Sequence, residues 1–383
     1  MINFDFRPRT RIVFGKDSID QLGSLASDLG AKRALVITDP GIVAAGHVQR
    51  GLDSLRKSHI DTLLFDGARE NPTTDDVDAG LKMAVRYEPE LLIGLGGGSS
   101  MDCAKGVNFL YSNGGQMQDY WGVGKAEKDM LPMIAVPTTA GTGSEMQSFA
   151  LISDSQTHVK MACGDPKASC RIAILDPLLT LTQPAQVTAL TGIDALSHAV
   201  ETYVTKKRNE LSLLFSREAF RLLAGNFQHV LNDPEDIDAR ASMQLGAAYS
   251  GLAIENSMLG ASHALANPLT AEYGISHGQA VGLMLPHVVR FNGRECNAWY
   301  QELFSVIEGM PGGPTVGGGA YDLADFLTQM VKAAGLEVKL EALGVQRDKL
   351  SDLAADAAKQ WTGGFNPRRV DQDSLNEMYE QAF

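Results

Sequence analysis

The chain has 383 residues, a formal net charge of −13 and 44% hydrophobic residues. This length fits two domains with ample apolar content for both cores, and the acidic balance argues against a nucleic-acid partner. No apolar run approaches the roughly 20 residues that span a bilayer, and the N-terminus lacks the apolar segment of a signal peptide. We therefore expect a cytoplasmic protein without membrane contact.

The first half of the sequence alternates short β-branched runs with helical stretches, the pattern typical of parallel strands joined by crossover helices. The predicted strands are 10–15, 34–39, 62–66, 91–95 and 133–137, followed by extended segments at 149–153, 158–162 and 171–175. Helices are predicted at 42–57 and 74–87, the latter capped by Thr73 or Thr74, and from near Asp102. These elements predict a Rossmann-like α/β dinucleotide-binding domain over residues 1–183.

From Pro184 onward helical periodicity replaces the strand patterns. Helices are predicted near 185–204, 209–226, 237–254, 257–271, 278–290, 295–309, 320–334, 338–342 and 346–360. The Pro- and Gly-rich segments that begin at Pro311 and Gly317 predict a surface loop. Residues 184–383 are thus expected to form a helical metal-binding and catalytic domain.

Two loops rich in glycine follow predicted strands of the first half. One contains Gly96-Gly97-Gly98-Ser99, and the other runs from Thr138 through Gly143 to Glu145. Glycine lets backbone N–H groups approach phosphate oxygens, and a following helix N-terminus favours negative charge. The first loop lacks the third glycine of Gly-x-Gly-x-x-Gly, and Asp39 precedes it, so the standard dinucleotide fingerprint is not met in detail. A tight turn is the alternative, but two such loops favour a nucleotide site.

A carboxylate and three histidines in the second half predict one metal site. Asp194 and His198 are four residues apart, which places both on one face of a helix. His263 and His277 follow in segments of small and apolar residues, where an uncoordinated imidazole needs another buried partner. One carboxylate and three imidazoles suit divalent iron or zinc and argue against an iron–sulfur cluster.

The remaining histidines and the cysteines are not expected at this site. His47, His59, His158 and His229 have charged or polar neighbours, which predicts surface positions, and His287 follows Leu-Pro in a setting typical of a structural histidine. The four cysteines show no Cys-x-x-Cys spacing and are expected to be free thiols.

Several ordered motifs resemble the iron-containing alcohol dehydrogenase family, which shares its fold with dehydroquinate synthase. They are Glu70-Asn-Pro-Thr73, Gly96-Gly-Gly-Ser99-x-x-Asp102-x-x-Lys105, Pro137-Thr-Thr-x-Gly-Thr-Gly-Ser-Glu145, Asp176-Pro-x-Leu179, Gly192-x-Asp-Ala-Leu-x-His198-Ala-x-Glu201 and Leu285-Pro-His287. Lactaldehyde reductase-like members, which act on 1,2-propanediol, are expected to be the most similar.

The resemblance implies which residues form the active site. It assigns one catalytic metal, commonly Fe²⁺ and in some members Zn²⁺, to Asp194, His198, His263 and His277. It also assigns NAD(H) to a set of residues that would contact its pyrophosphate, ribose, adenine or nicotinamide: Asp39, Asn71, Gly97, Gly98, Ser99, Asp102, Thr138, Thr139, Thr142, Lys160 and Leu179. At Asp39 an acid would accept hydrogen bonds from the ribose and repel a 2′-phosphate, which favours NAD(H) over NADP(H).

One position departs from the family pattern. Many relatives carry a second histidine four residues after the equivalent of His263, where this chain has Asn267. That histidine takes part in proton transfer, which an amide cannot perform. Proton release would then run through water, a ribose hydroxyl or another side chain.

The resemblance implies an NAD(H)-dependent alcohol dehydrogenase or aldehyde reductase for small primary alcohols, diols or their aldehydes. The alcohol oxygen would bind the metal, and hydride would pass to nicotinamide. A glycerol-dehydrogenase-like polyol or hydroxyacid oxidoreductase is the near alternative, and a catalytically silent metal- or nucleotide-binding protein is the alternative from another class. The family also implies a homodimer or a larger homo-oligomer.

Overall fold

The computed structural model describes residues 4–157, 159–307, 309 and 318–383. His158 and residues 311–317 of the predicted surface loop lie outside this part. The contacts between residues divide the chain into two compact units, one formed by Asp5–Gln183 and the other containing Pro184–Phe383. The first unit holds a parallel sheet and the second is helical, so the predicted fold class is confirmed.

The strands of the first unit form two sheets. In chain order they are β1 (Arg11–Phe14), β2 (Arg33–Ile37), β3 (Asp61–Phe65), β4 (Leu91–Gly96), β5 (Gly122–Val123), β6 (Met133–Pro137), β7 (Phe149–Ser153), β8 (Lys160–Gly164) and β9 (Ile172–Leu175). The larger sheet has the order β1-β9-β6-β4-β2-β3 and is parallel throughout. A smaller sheet has the order β5-β8-β7.

The strand order of the larger sheet changes direction between β2 and β4. The chain passes from β2 to β3 on one side and then returns to add β4 on the other side. In open α/β sheets, ligands bind outside the carboxyl ends of the strands at such a switch point. Asp39 follows β2 and Gly97 follows β4, so both residues flank it.

The helices of the first unit differ in three places from the prediction, which contained no helix at 22–28. They are α1 (Leu22–Asp28), α2 (Pro40–Ala44), α3 (His47–Lys57), α4 (Thr74–Tyr87) and α5 (Gly98–Asn113). The single helix predicted at 42–57 is wrong, because Gly46 adopts a left-handed φ of 83° that separates α2 from α3. Helix α5 begins at Gly98 and not near Asp102, so the glycine-rich loop supplies its first turn. The N-cap predicted at Thr73 is confirmed by a capping box with Asp76.

The second unit contains eight α-helices within its described residues. They are α6 (Ala185–Val204), α7 (Glu210–Asn232), α8 (Ile237–Asn256), α9 (Ala261–Tyr273), α10 (His277–Phe304), α11 (Ala320–Ala333), α12 (Leu350–Ala357) and α13 (Gln372–Ala382). The helices predicted at 278–290 and 295–309 are one helix, α10, which bends at Cys296. The segment predicted near 338–342 is a short 3-10 helix.

Apolar side chains fill separate cores on the two faces of the larger sheet and between the helices of the second unit. Leu35 and Val36, for example, are neighbours on β2 and belong to different cores, because successive side chains of a strand point to opposite faces. All four cysteines are free, as predicted, and the structure shows that they are buried. His47, predicted at the surface, is instead buried, and its Nε2 lies 2.7 Å from the Thr182 hydroxyl. Within the described residues, no helix has the length and apolarity needed to cross a membrane.

Candidate functional site

Three helices of the second unit bring the predicted metal ligands together. Asp194 and His198 lie one turn apart on α6, His263 lies in the first turn of α9, and His277 is the first residue of α10. The spacing of four residues on α6 therefore has the consequence predicted from the sequence. His263 and His277 lie at helix starts, so their backbone positions depend on the loops before these helices. Those loops contain Gly260 and Ser276.

The imidazoles converge on one carboxylate oxygen. Asp194 Oδ1 lies 3.4 Å from His198 Nε2, 3.6 Å from His263 Nε2 and 3.8 Å from His277 Nε2. The His263 ring centroid lies 4.9 Å from that of His198 and 5.3 Å from that of His277. Asp194, His263 and His277 thus offer ligand atoms within 4.8 Å of one another, and His198 adds a nitrogen 3.4 Å from the same carboxylate oxygen.

The chemistry of these atoms fits a divalent cation. Asp194 Oδ1 and His263 Nε2 are buried and make no hydrogen bond within the described part of the chain. Buried polar atoms in proteins normally have a partner, and a bound ion is one explanation for those that do not. Asp194, His198 and His263 are buried, whereas the His277 side chain is 29% exposed, so the cluster is open on the side of His277.

The cluster is also strongly coupled electrostatically. Burial alone would raise the pKa of Asp194, but the three neighbouring histidines outweigh it and hold that pKa well below its ordinary value. Burial would lower the pKa of His263, but Glu201 and Asp194 outweigh burial and raise it to about 9. A carboxylate that stays ionised next to imidazoles is suited to a cation site.

Glu201 is a residue of this centre to which the sequence analysis gave no role. Its Oε2 lies 2.5 Å from His263 Nδ1, and its Oε1 accepts a 2.6 Å hydrogen bond from the Ser262 backbone N–H. The available signal was its position on α6, three residues after His198 and seven after Asp194, which places it on the same helix face.

The residues predicted to bind the cofactor's phosphates lie where the two glycine-rich loops meet. Gly97 and Gly98 open α5, and a Cβ atom added to Gly98 would lie 2.6 Å from Thr142 Oγ1. One added to Gly97 would lie 3.4 Å from Thr139 Cγ2. The loops after β4 and β6 therefore touch, and the glycine at position 98 is required by this close approach.

Asp39 is oriented by two hydrogen bonds at the same sheet edge. Its Oδ1 accepts from the Ile42 backbone N–H at 3.1 Å, capping α2, and its Oδ2 accepts from the Ser100 hydroxyl at 3.1 Å. Because two hydrogen bonds fix the orientation of this carboxylate, it can discriminate between ligands whose groups differ next to Asp39.

Asn71, Ser99 and Lys160, predicted separately, are linked to one another. The Asn71 backbone N–H donates to Ser99 Oγ at 3.2 Å, and Lys160 Nζ donates to Asn71 Oδ1 at 3.2 Å. Asn71 has a left-handed φ of 52°, a conformation that asparagine tolerates better than most residues. The structure thus places an amide, a hydroxyl and an ammonium group beside the start of α5.

The other predicted cofactor residues are buried. Thr138 Oγ1 is buried and makes no hydrogen bond within the described residues. Leu179 packs in one of the cores beside the larger sheet. Asp102 Oδ1 accepts a 2.6 Å hydrogen bond from Ser144, and the fully buried Lys105 donates to the backbone oxygens of residues 144, 147 and 149. Asp102 and Lys105 thereby fasten the second glycine-rich loop to α5, which the sequence analysis did not predict.

Asn267 lies one turn after His263 on α9. Its side-chain Nδ2 donates to Gln360 Oε1 at 2.9 Å, and both side chains are partly buried. This amide pair offers hydrogen bonds at position 267 but no titratable group at neutral pH.

Two family models match the chain almost from end to end. The model described as iron-containing alcohol dehydrogenase matches residues 8–177, and the model described as Fe-containing alcohol dehydrogenase family, C-terminal, matches residues 188–383.

Individual relatives and solved structures agree with these matches. The chain is 33% identical to a 1,3-propanediol dehydrogenase of Citrobacter freundii, with 99% of each chain covered. It is 31% identical to an NAD-dependent methanol dehydrogenase of Bacillus methanolicus, with 100% of each covered. The crystal structure of a 1,3-propanediol oxidoreductase superposes with a TM-score of 0.94 at 31% identity, covering 100% of both chains.

Proposed function

Because the chain belongs to the iron-containing alcohol dehydrogenase family, we propose that it interconverts small primary alcohols or diols and their aldehydes with NAD(H). Asp194, His198, His263 and His277 hold one divalent ion in this proposal, Fe²⁺ by family and Zn²⁺ as the alternative. The observation that carries the assignment is the approach of three imidazole nitrogens to one buried carboxylate oxygen.

The ion, when bound, supplies a Lewis acid that polarises the substrate C–O group, and the nicotinamide supplies the hydride acceptor or donor. The chain itself fixes the geometry. Rigid helices hold the ligands, burial of Asp194 and His263 excludes bulk water from most of the centre, and the partly exposed side at His277 admits the substrate.

The carboxyl ends of β2, β4 and β6 form the proposed cofactor site. The N–H groups of Gly98 and Ser99 at the start of α5 bind the pyrophosphate in this proposal, because the positive end of a helix dipole favours an anion. Asn71 and Lys160 contact the cofactor beside Ser99, while Thr138, Thr139 and Thr142 line the second loop. Asp102 and Leu179 are the buried residues of the proposed cofactor site.

The choice of small alcohols and diols follows the relatives. The names of two of them state 1,3-propanediol and methanol as substrates, and one of these names states dependence on NAD. A homo-oligomer remains a prediction from the family resemblance, and a cytoplasmic location remains a prediction from the apolar pattern of the sequence.

The function is tested by anaerobic Fe²⁺ reconstitution, followed by NADH absorbance measurements with a panel of C2–C6 alcohols, diols and aldehydes. We expect metal-dependent turnover of several panel members. The His263→Ala variant should lose metal and activity together, because it removes a ligand that is also bonded to Glu201. The absence of metal-dependent turnover across the whole panel would contradict the proposal.

The proposed preference for NAD(H) has its own test, the Asp39→Asn variant. Asparagine keeps the shape and the oxygen that caps α2 but removes the charge that repels a 2′-phosphate. We expect the ratio of kcat/KM for NADPH over NADH to rise by about tenfold, since such a pair near a surface is worth on the order of 1–4 kcal/mol. Equal catalytic efficiency of the wild-type enzyme with both cofactors would contradict the preference.

A further inference from the structure

Glu201 contacts a metal ligand and a helix start at the same time. One of its oxygens pairs with His263 Nδ1 at 2.5 Å and the other accepts from the Ser262 N–H at 2.6 Å. Glu201 is 4% exposed, so neither bond is exchanged readily for a bond to water. A buried carboxylate with this pair of contacts links α6, which carries two ligands, to α9, which carries the third.

The first contact determines which imidazole nitrogen is available to a metal. An ionised carboxylate can only accept hydrogen bonds, so His263 must carry its proton on Nδ1. When a metal binds, the other nitrogen, Nε2, supplies the lone pair, and it is the atom that lies 3.6 Å from Asp194 Oδ1. A hydrogen bond from the second nitrogen of a ligating histidine to a carboxylate also makes the ligand more basic.

The second contact replaces a missing helix cap. The N-cap of α9 is Gly260, which has no side chain with which to satisfy the first backbone N–H groups. A side chain there would crowd its neighbours, because a Cβ atom on Gly260 would lie 3.1 Å from Glu201 Oε1 and 3.2 Å from Asn366 Oδ1. Glu201 therefore caps α9 from a neighbouring helix and fixes the backbone on which His263 is carried.

The charge of Glu201 matters as well as its shape. With three neutral imidazoles, Asp194 and Glu201 together carry two negative charges, which balance one divalent cation in a buried centre. An amide at position 201 would leave the loaded centre with excess positive charge, and an uncompensated charge is unfavourable in buried surroundings.

We propose that Glu201 is the positioning residue of this metal centre, which sets the His263 tautomer, caps α9 and completes charge balance with a divalent ion. This inference rests on the metal assignment of the proposed function. Glutamine in place of Glu201 keeps the size but presents one NH₂ group, which must face either His263 Nδ1 or the Ser262 N–H. If the NH₂ group faces the Ser262 N–H, two donors oppose each other. If it faces His263, the two donors oppose each other unless the imidazole proton moves from Nδ1 to Nε2, the nitrogen that would bind the metal.

The test compares wild type, Glu201→Gln and Glu218→Gln as full-length, metal-free proteins titrated with Co²⁺ under anaerobic conditions. Glu218 is a matched control, because it lies on α7 of the same unit and pairs with Arg221. Visible absorption and competition with a chelator give the Co²⁺ affinity without any activity measurement. We expect the Co²⁺ affinity to fall 10- to 100-fold in Glu201→Gln, the range typical when a residue that hydrogen-bonds a metal ligand is replaced. The Co²⁺ affinity of Glu218→Gln should equal that of wild type.

A second measurement does not depend on the variant's folding. ¹⁵N-labelled histidine NMR of the wild-type Zn²⁺ form should show His263 protonated at Nδ1 and metal-bound at Nε2. The opposite tautomer, or equal Co²⁺ affinity of wild type and a folded Glu201→Gln, overturns the role of Glu201 while leaving the proposed function intact. If the wild-type protein binds no Co²⁺ at the His263 centre, the proposed function itself fails.

Discussion

Asn267 is the residue at which the family resemblance predicts a different route of proton transfer. It donates to Gln360 and has no proton to exchange at neutral pH. In the Asn267→His variant we expect unchanged metal content, because none of the four ligands is altered. The pH–rate profile should gain an ionisation in the range typical of histidine, near pH 6–7, because an imidazole can act as acid or base there.

Metal analysis and kcat measured from pH 5 to 9 would check this expectation, with Asn267→Gln as a control that lengthens the side chain without adding a titratable group. A profile identical to that of wild type would show that position 267 takes no part in proton transfer.

Glu145 is a second residue for which the structure implies a pH dependence, here of stability. Its burial raises its pKa to about 7 from an ordinary value of 4.5. Below about pH 4.5 the carboxyl group is protonated in both the folded and the unfolded state. Between about pH 4.5 and 7 the unfolded state loses the proton first, so the free energy of unfolding falls as the pH rises, by about 3 kcal/mol in total.

Glu145→Gln should lack this decline, and urea unfolding of both proteins from pH 4.5 to 8 would show it as a growing difference in free energy. Glu272→Gln, at an exposed position, should follow the wild-type slope. Parallel curves for wild type and Glu145→Gln would rule out the predicted ionisation.

The predicted ligand residues depended on local spacing, which a sequence displays directly. Asp194 and His198 share a helix face because they are four residues apart, and the structure shows that arrangement. The contact of Glu201 with His263 spans 62 residues and depends on how α6 and α9 pack, so no local pattern contained it. The buried bonds of Lys105 to the second loop could not be predicted for the same reason.

At the scale of elements, the junction between α5 and the loop after β6 leaves little room for a side chain at Gly98. A Cβ atom at Gly98 would come within 2.6 Å of Thr142 Oγ1 and 2.7 Å of its Cγ2. Alanine in a helix is ordinarily more favourable than glycine by about 0.5–1 kcal/mol. Here we expect Gly98→Ala to lower the free energy of unfolding by about 1–3 kcal/mol, the usual cost of overpacking.

Gly97→Ala is the matched control in the same loop, because its Cβ atom would make only an ordinary contact of 3.4 Å with Thr139. Urea unfolding gives the free energy of unfolding of each variant. The double variant Gly98→Ala/Thr142→Ala should recover part of the loss, and a destabilisation as large in Gly97→Ala would contradict the steric explanation.

The element boundaries that the sequence did not predict have identifiable causes. A glycine inside a helical pattern is often tolerated, so the break at Gly46 could not be told from a continuous helix without its φ value. Helix α13 was not predicted although Asp371 pairs with Ser374 at its start and its buried side chains recur at helical spacing. That signal was present in the sequence, whereas the bend in α10 is a non-helical backbone conformation at Cys296 alone.

For the whole molecule, removal of the metal should destabilise the two units unequally. Residues 184–383 contain all four proposed ligands, on α6, α9 and α10. A ligand at 100 times its dissociation constant stabilises the state that binds it by about 2.7 kcal/mol. We expect a chelator to lower Tm and to speed amide hydrogen exchange mainly in these three helices.

Exchange measured by mass spectrometry with and without Zn²⁺ would locate the change, and His263→Ala should show little response to the metal. A response spread evenly over both units, or confined to residues 5–183, would contradict the assigned ligands.

At this scale the sequence predicted the fold class, because the change from strand to helical periodicity at Pro184 is visible in the residues themselves. The order of the strands was not predicted, since it depends on pairings between distant segments. The switch point between β2 and β4, which brings Asp39 within hydrogen-bond distance of Ser100, is a property of that order. Function at a sheet edge is therefore harder to predict than function on a single helix.

The start of α10 has an electrical consequence. Its first residue is His277, and its N-cap, Ser276, makes no side-chain hydrogen bond to the helix within the described residues. The open end of a long helix carries about half an elementary positive charge. This positive charge beside the ligand cluster disfavours a bare cation and favours an oxyanion. Small anions are therefore expected to compete with the alcohol for its binding position beside His277.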